Sequence, residues 1–560
     1  MKKIFILLLL GVFVAAKAQT PKWVDKARQA VFSIVVYDKD NHIKGNGNGF
    51  FIGDDGSALS DFGLFDGASR VAVVTANGQQ SEVDRLCGAN SMYDIVKFRV
   101  APIKKLQSLP IATAPAKVGE VVYVLPYSTQ KSVQCQTAKV TAVDSIGGGS
   151  FYYTLELAAS EKTVSCPIMN QQGEVVGMIQ HSASNESKES YAIGASFGAS
   201  LSISALTFND SSLRNIQIRK ALPDDMQQAL VYLFMASSQM KEEEYTESLN
   251  EFVDTYPDNE EGYIRRAQLY MDKSPEQAEN DFKQALSVSA VKNETNYTIA
   301  RTIYQYAIAQ KDSTTYEGWS LDRAAEFVQT ALNEKEEPLY VRLLADIQYA
   351  QKKYQEAADS FLKIIDTNVG GPSAFYGAAK AKEMIEGVDY GEIEVLLDSA
   401  INRFSQPYTS ETSPYFYERA LVRSEQGKNK EAIVDFNQFY ETAKGAVSAL
   451  FYYQREQVEM KLKMFQQAID DISRATEMAP DDADFWMERA SVHMRVNQTS
   501  EAIDCLKQVL KLTADNAVAY RMLGYCQVML KNKAEGKQNL EKARDLGDKV
   551  AVQLIEKYCK

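Results

Sequence analysis

The sequence predicts an all-β domain followed by an all-α solenoid, and three observations carry that prediction. Residues 30–196 hold many short runs rich in Val, Ile, Tyr and Phe, with Gly, Asn and Asp turns between them. From residue 223 almost to the end, the pattern is helical. Within that region small residues recur at a fixed interval, Ala468, Ala502 and Gly536 each 34 residues apart. A chain of 560 residues is also too long for one hydrophobic core.

The first segment reads as an export signal. Met1-Lys2-Lys3 supplies positive charge, Ile4 to Ala15 an apolar run, and Ala16-Lys17-Ala18 a small-x-small cleavage site. Cleavage there would begin the mature chain at Gln19, and the expected location is periplasmic or extracellular. No cysteine sits at the cleavage site to carry a lipid anchor. The apolar run is too short to span a bilayer, and no later stretch reaches the length needed.

In the β region, Val31–Tyr37, Val71–Thr75, Val121–Leu125 and Lys139–Val143 read as strands of a barrel or sandwich. Gly47-Asn48-Gly49-Phe50-Phe51-Ile52, then Gly56-Ser57-Ala58-Leu59-Ser60, resembles the strand pair that delivers the catalytic histidine in trypsin-type, HtrA-like serine proteases. Asn170-Gln171-Gln172-Gly173-Glu174-Val175-Val176-Gly177 is similar to that family's strand pair after the nucleophile, and Tyr191-Ala192-Ile193 to its closing strand. The resemblance covers about a third of the chain and implies the two-barrel trypsin-like fold.

It also implies a triad, and the residues at two of its three positions cannot serve. The histidine position holds Gly63, the aspartate position keeps Asp94, and the nucleophile loop reads Lys162-Thr163-Val164-Ser165-Cys166-Pro167, with Val164 in the serine position. Glycine offers no base and valine no nucleophile. Lys162 stands where the family's oxyanion-hole glycine would be. Losing the serine or the histidine alone costs on the order of a millionfold in turnover, so the expectation is a protease fold without proteolysis. If the loop is read one residue shorter, Ser165 becomes the alternative nucleophile. Of the three histidines, His42, His181 and His493, only His181 follows a strand of the same barrel half, which makes it the alternative base. That pair needs mutual geometry which sequence does not supply.

The helical region resembles tetratricopeptide repeats. Ala432, Ala468, Ala502 and Gly536 are each followed four positions later by Phe436, Ile472, Leu506 and Leu540, and Trp486, Tyr520, Leu523 and Gly524 fit the first-helix pattern. Looser units, such as Ala278 with Phe282 and Ala357 with Phe361, bring the expected total to eight or nine helix pairs, with Val550–Tyr558 as a capping helix. The expected layout is a signal peptide at 1–18, a trypsin-like domain at 19–204, a linker at 205–222, repeats at 223–548 and a capping helix at 549–560.

Stacked repeats present a concave surface suited to protein segments. First-helix arginines, among them Arg423, Arg455, Arg489 and Arg495, are candidates to line it and to fork onto carboxylates. The competing reading pairs them with neighbouring Glu and Asp. A net charge of −13 argues against general nucleic-acid binding. Cys87, Cys135, Cys166, Cys505, Cys526 and Cys559 show no metal-ligand spacing, so neither a metal site nor another cofactor is expected. A Cys135–Cys166 bridge is left open.

The functional expectation is an exported, non-catalytic scaffold that binds proteins or peptides, in the cell envelope or outside it, without a membrane span. A peptide could join the β domain as an added strand. The rival readings are a divergent serine endopeptidase using Ser165, with the repeats presenting substrate, and a chaperone-like holdase.

Overall fold

The structure, a computed structural model, describes residues 21–130, 135–158, 160–181, 188–207, 210–309 and 316–559. The expected signal segment 1–18 lies outside them, as does Asn209 of the expected linker. The chain divides into two units, Met1–Ser289 and Ala290–Lys560.

The first unit contains two closed six-stranded antiparallel barrels. Barrel one is built from β1 (Val31–Tyr37), β2 (Ile43–Phe51), β3 (Ser57–Ser60), β4 (Arg70–Thr75), β5 (Gln80–Asn90) and β6 (Ile95–Val100), in the order β1-β2-β3-β6-β5-β4. Barrel two contains β7 (Val121–Val124), β8 (Gln136–Gly147), β9 (Ser150–Glu156), β10 (Pro167–Met169), β11 (Val175–Ile179) and β12 (Ser190–Gly194), in the order β10-β11-β12-β9-β8-β7. In β1 every second residue, Phe32, Ile34 and Val36, is fully buried, which is the period-two signal read in the sequence. Phe32 packs tilted against Phe51 at 4.4 Å between ring centroids, and Phe65 against Phe98 at 4.9 Å. Gly49 is required where β2 crosses Phe32, since a Cβ there would lie 2.5 Å from the phenyl ring and 2.9 Å from the Leu59 carbonyl oxygen. Each strand has a neighbour on both sides, although β3 pairs with β2 only at Phe50 and Phe51 and β7 with β8 only from Gln136 to Lys139.

The segment expected as a linker is not free chain. Ile216, Ile218 and Leu222 are buried in the core of barrel one. The backbone is stitched to β5 by Leu86 N–H to Arg219 O at 2.8 Å and Ala221 N–H to Leu86 O at 2.7 Å. Alternating apolar residues behind a polar stretch made this an added strand-like crossing rather than a tether.

Among the described residues four helices follow in the same unit, Met226–Ala236, Glu242–Thr255, Glu260–Tyr270 and Pro275–Val288. Ala229, Tyr232, Leu233, Leu249 and Phe252 of the first two belong to the same buried cluster as the residues of barrel one.

Among the described residues the second unit carries seven further helix pairs, from Lys292–Ala309 and Leu321–Glu334 to Ala517–Met529 and Lys533–Asp545, and closes with Lys549–Tyr558. Ala432, Ala468 and Ala502 are fully buried. At Gly536 a Cβ would stand 2.9 Å from the Gly524 carbonyl oxygen, so two helices touch backbone to backbone there. Among the described residues no helix is long and apolar enough to cross a membrane.

Candidate active-site cleft

Three segments of the first unit converge where a trypsin-like site would lie: the end of β3 with the short helix Phe62–Phe65, the β5–β6 turn, and the loop 160–166 before β10. Gly63 and Asp94 meet. The Gly63 backbone N–H donates to Asp94 Oδ1 at 2.7 Å, and a Cβ on Gly63 would lie 3.4 Å from the same oxygen. The aspartate thus faces the position where the family carries its histidine, and a main-chain amide takes the carboxylate.

The loop 160–166 is folded tightly on itself. Thr163 N–H and Val164 N–H donate to Ser160 O at 2.8 and 3.1 Å, Ser165 N–H to Ile179 O at 2.8 Å, and Cys166 N–H to Thr163 O at 3.2 Å. The Thr163 hydroxyl accepts from Ser160 N–H and donates back to Ser160 O, each at 2.9 Å. Asn48 of β2 donates its side-chain amide to Val164 O at 3.0 Å and is held from behind by the Ser60 hydroxyl on its own carbonyl. An oxyanion hole needs N–H groups aimed at the space a substrate oxygen will occupy. From Thr163 to Cys166, each N–H is satisfied inside the domain.

Val164 is buried among these bonds, and Ser165 is only 1% exposed, with its backbone in the left-handed region at φ 62°. The Ser165 hydroxyl donates to Asp61 Oδ2 at 2.8 Å, while Asp61 Oδ1 caps the short helix by accepting Leu64 N–H at 3.2 Å. Burial pushes the Asp61 carboxyl above its ordinary range. The Ser165 bond opposes that shift, Asp94 adds to it, and His181 opposes it. His181 itself is exposed. Its neighbour Gln180 is buried, accepting from Tyr152 Oη at 2.6 Å and donating to Tyr93 O. The other histidines are elsewhere: His42 is exposed near the β1–β2 turn, and His493 Nδ1 lies 2.7 Å from Gln498 Oε1 in the second unit.

The residues that organise this cleft, Asp61, Asn48 and Gln180, were not singled out as functional in the sequence. Only Asp61 left a signal there, as an N-cap aspartate two residues before Gly63. One consequence is measurable. Ser165→Ala removes the hydroxyl that satisfies a buried carboxylate, so it is expected to destabilise the first unit by roughly 1–3 kcal/mol. Urea unfolding of mutant and parent chains checks this, and an unchanged midpoint would mean the Asp61–Ser165 bond carries no weight.

In the second unit the four arginines occupy different environments. Arg423 pairs with Glu394 and Asp435, each at 2.7 Å, and Arg455 with Asp471 at 2.6 Å. Arg489 donates to Thr476 Oγ1 at 2.9 Å and stacks over Trp486, but its Nε is buried without a hydrogen-bond partner. Arg495 acts electrostatically on Glu456. All six cysteines are free thiols, and among the described residues no cluster of His, Cys, Asp or Glu could hold a metal ion.

Residues 47–178 match the family model of the trypsin-like peptidase domain, and residues 483–516 match a tetratricopeptide repeat. The protein therefore joins a trypsin-like peptidase domain to tetratricopeptide repeats. Among solved structures, the serine endoprotease from Yersinia pestis matches at 21% identity and a TM-score of 0.27, covering 31% of this chain and 62% of that one. The inactive form of a serine-to-alanine mutant of Rv3671c from M. tuberculosis H37Rv matches at 19% identity and a TM-score of 0.27, covering 32% of this chain and 88% of that one. No curated protein matches the chain.

Proposed function

We propose that this protein is an exported, non-catalytic binding or scaffold protein, in which a pseudoprotease domain is combined with repeats that hold protein segments. The repeats themselves point to protein–protein interaction. The observation that carries the non-catalytic reading is the state of the nucleophile loop. The Ser165 hydroxyl is buried against Asp61, the Thr163 hydroxyl is bonded back to Ser160, and the amides from Thr163 to Cys166 are bonded inward. Serine needs a base to remove its proton in the transition state, and Gly63 presents Asp94 with no imidazole to orient. Export rests on the Lys2-Lys3, apolar and Ala16-Lys17-Ala18 pattern. Envelope or secreted proteins are the partners that such a location offers.

The endopeptidase reading has one observation in its favour, the Ser165 hydroxyl held by Asp61, on which His181 acts electrostatically. The two readings separate in a single experiment, fluorophosphonate labelling of the chain from Gln19 beside an active HtrA-type enzyme and a Ser165→Ala control. We expect no labelling of the parent chain while the active enzyme reacts. Labelling that disappears in Ser165→Ala would overturn the non-catalytic reading.

A further inference from the structure

A second feature of the first unit is independent of the cleft. Arg85 and Cys87 from β5, with Lys97 and Arg99 from β6, face a polar cavity of about 430 Å³, closed on the other side by residues 221–224 and by Glu251 of the helix Glu242–Thr255. That volume is in the range of small-molecule sites. Arg85 and Arg99 are direct cross-strand partners. Like charges placed so are unfavourable unless something between or beside them carries the opposite sign.

The protein's own acids go only part of the way. Glu251 is shared by Arg85 and Arg219, Asp84 takes Arg85 Nε at 2.5 Å, and Asp55 takes Arg99 Nη2 at 2.7 Å. Asp224 also lines the cavity and is exposed. Among the described residues Lys97 pairs with no carboxylate, and it donates instead to the carbonyl oxygens of Ala199 and Leu201 at 2.8 and 3.1 Å. Arg99 Nε is buried with no hydrogen-bond partner. The charges of Arg99, Lys97 and Arg85 all act on the Cys87 thiol in the direction that favours its anion, although burial pushes that thiol up to about 11. Arg85, Lys97 and Arg99 thus share the cavity wall with Asp55, Asp224 and Glu251, and among the described lining residues Arg99 Nε is a buried donor left without an acceptor.

We propose that this cavity binds a small oxyanionic molecule, an organic phosphate or a polycarboxylate, between the β5–β6 ribbon and the helix Glu242–Thr255. The anionic group supplies an acceptor for Arg99 Nε and an opposite charge beside Lys97, through the charge-assisted hydrogen bonds that guanidinium groups make best. A ligand held by both walls also stabilises the first unit by mass action.

Cys87 provides the reporter. Alkylation of the full chain by N-ethylmaleimide is followed peptide by peptide by mass spectrometry, with inorganic phosphate or citrate as probe and chloride at matched ionic strength as control. Binding of the same probes is measured by titration calorimetry. The expected result is slower alkylation at Cys87 but not at Cys559, with saturable heat for one or both probes. Phosphate alone would mark a phosphoryl site and citrate alone a carboxylate site. Lys97→Met and, separately, Arg99→Met are expected to weaken binding roughly tenfold or more, the worth of one lost charge-assisted bond. If either variant loses its circular-dichroism spectrum, Arg99→Lys replaces it and should retain measurable binding. Equal alkylation rates in phosphate, citrate and chloride, or saturation undiminished in folded Lys97→Met, would overturn the proposal.

Discussion

Replacing Asp435 by alanine is expected to cost the second unit about 3–5 kcal/mol, the usual penalty for removing one partner of a buried ion pair. Asp435 is 1% exposed. It accepts Arg419 Nε and Nη2 at 2.9 and 2.7 Å and Arg423 Nη1 at 2.7 Å, bridging the helices Ser413–Glu425 and Asn429–Thr442. Without it two guanidinium groups remain largely buried, with Asp398 and Glu394 as their remaining acids. In a repeat array, stability is a sum of repeat and neighbour terms, so the loss should appear locally. Hydrogen exchange of peptides from 413–442 is the measurement, with Asp435→Asn as the milder variant. A loss of protection spread evenly over 292–545, or none at all, would refute the argument.

The second expected result is a helical region that becomes less stable as pH rises towards neutrality. Glu456 and Glu459 are 0% and 3% exposed on the helix Ala449–Lys461. Burial, reinforced by Glu488 for the first and by Asp471 for the second, pushes both carboxyls up to about 8 from 4.5. The folded state therefore holds two protons that the unfolded chain releases above about 4.5. The stability they represent is fully present below 4.5 and is lost as pH climbs to 8, at up to roughly 1.4 kcal/mol per pH unit for each group. Glu394 has the opposite sign. Burial alone would raise it, but bonds from Lys428, Arg423 and Gln426 prevail and hold it down at about 2. Its contribution is lost only on the acid side, below about 4.5, and so does not oppose the slope above it. Urea unfolding followed by far-UV circular dichroism between pH 5 and 8 tests this. The double variant Glu456→Gln, Glu459→Gln should flatten the slope, and a parent chain with no slope would disprove it.

The strands and the repeat period were legible because both follow from where apolar residues must point. Phe32, Ile34 and Val36 alternate, and Ala468, Ala502 and Gly536 return at the period of one helix pair. The turns between paired helices were less legible. Lys463, Asn497 and Lys531 all sit in the left-handed region, where glycine is the usual signal. Gly427 alone shows that signal at the matching turn of the preceding repeat.

In the cleft, the sequence placed Gly63 beside Asp94 through resemblance alone. It could not show that Ser165 bonds to Asp61, 104 residues away. The arginines carried two readings because a helix position says nothing of the neighbouring helix. Arg419 and Arg455 each find their aspartate 16 residues on, at Asp435 and Asp471, whereas the corresponding position for Arg489 is Cys505.

The core shared by barrel one and the helices Met226–Ala236 and Glu242–Thr255 bears on how a repeat array can end. A solenoid is an open stack, and its first repeat has an apolar face with no preceding repeat to cover it. In the second unit Lys549–Tyr558 supplies such a cover, its Ala551, Leu554 and Ile555 packing with Val528, Leu540 and Ala543 of the two preceding helices. At the near end the cover is a β-barrel, since Tyr232, Leu233 and Phe252 are buried in one cluster with Ile216, Ile218 and Leu86. The protease fold thus has an architectural occupation as a terminal lid, one that asks for a sound barrel and makes no demand on a triad.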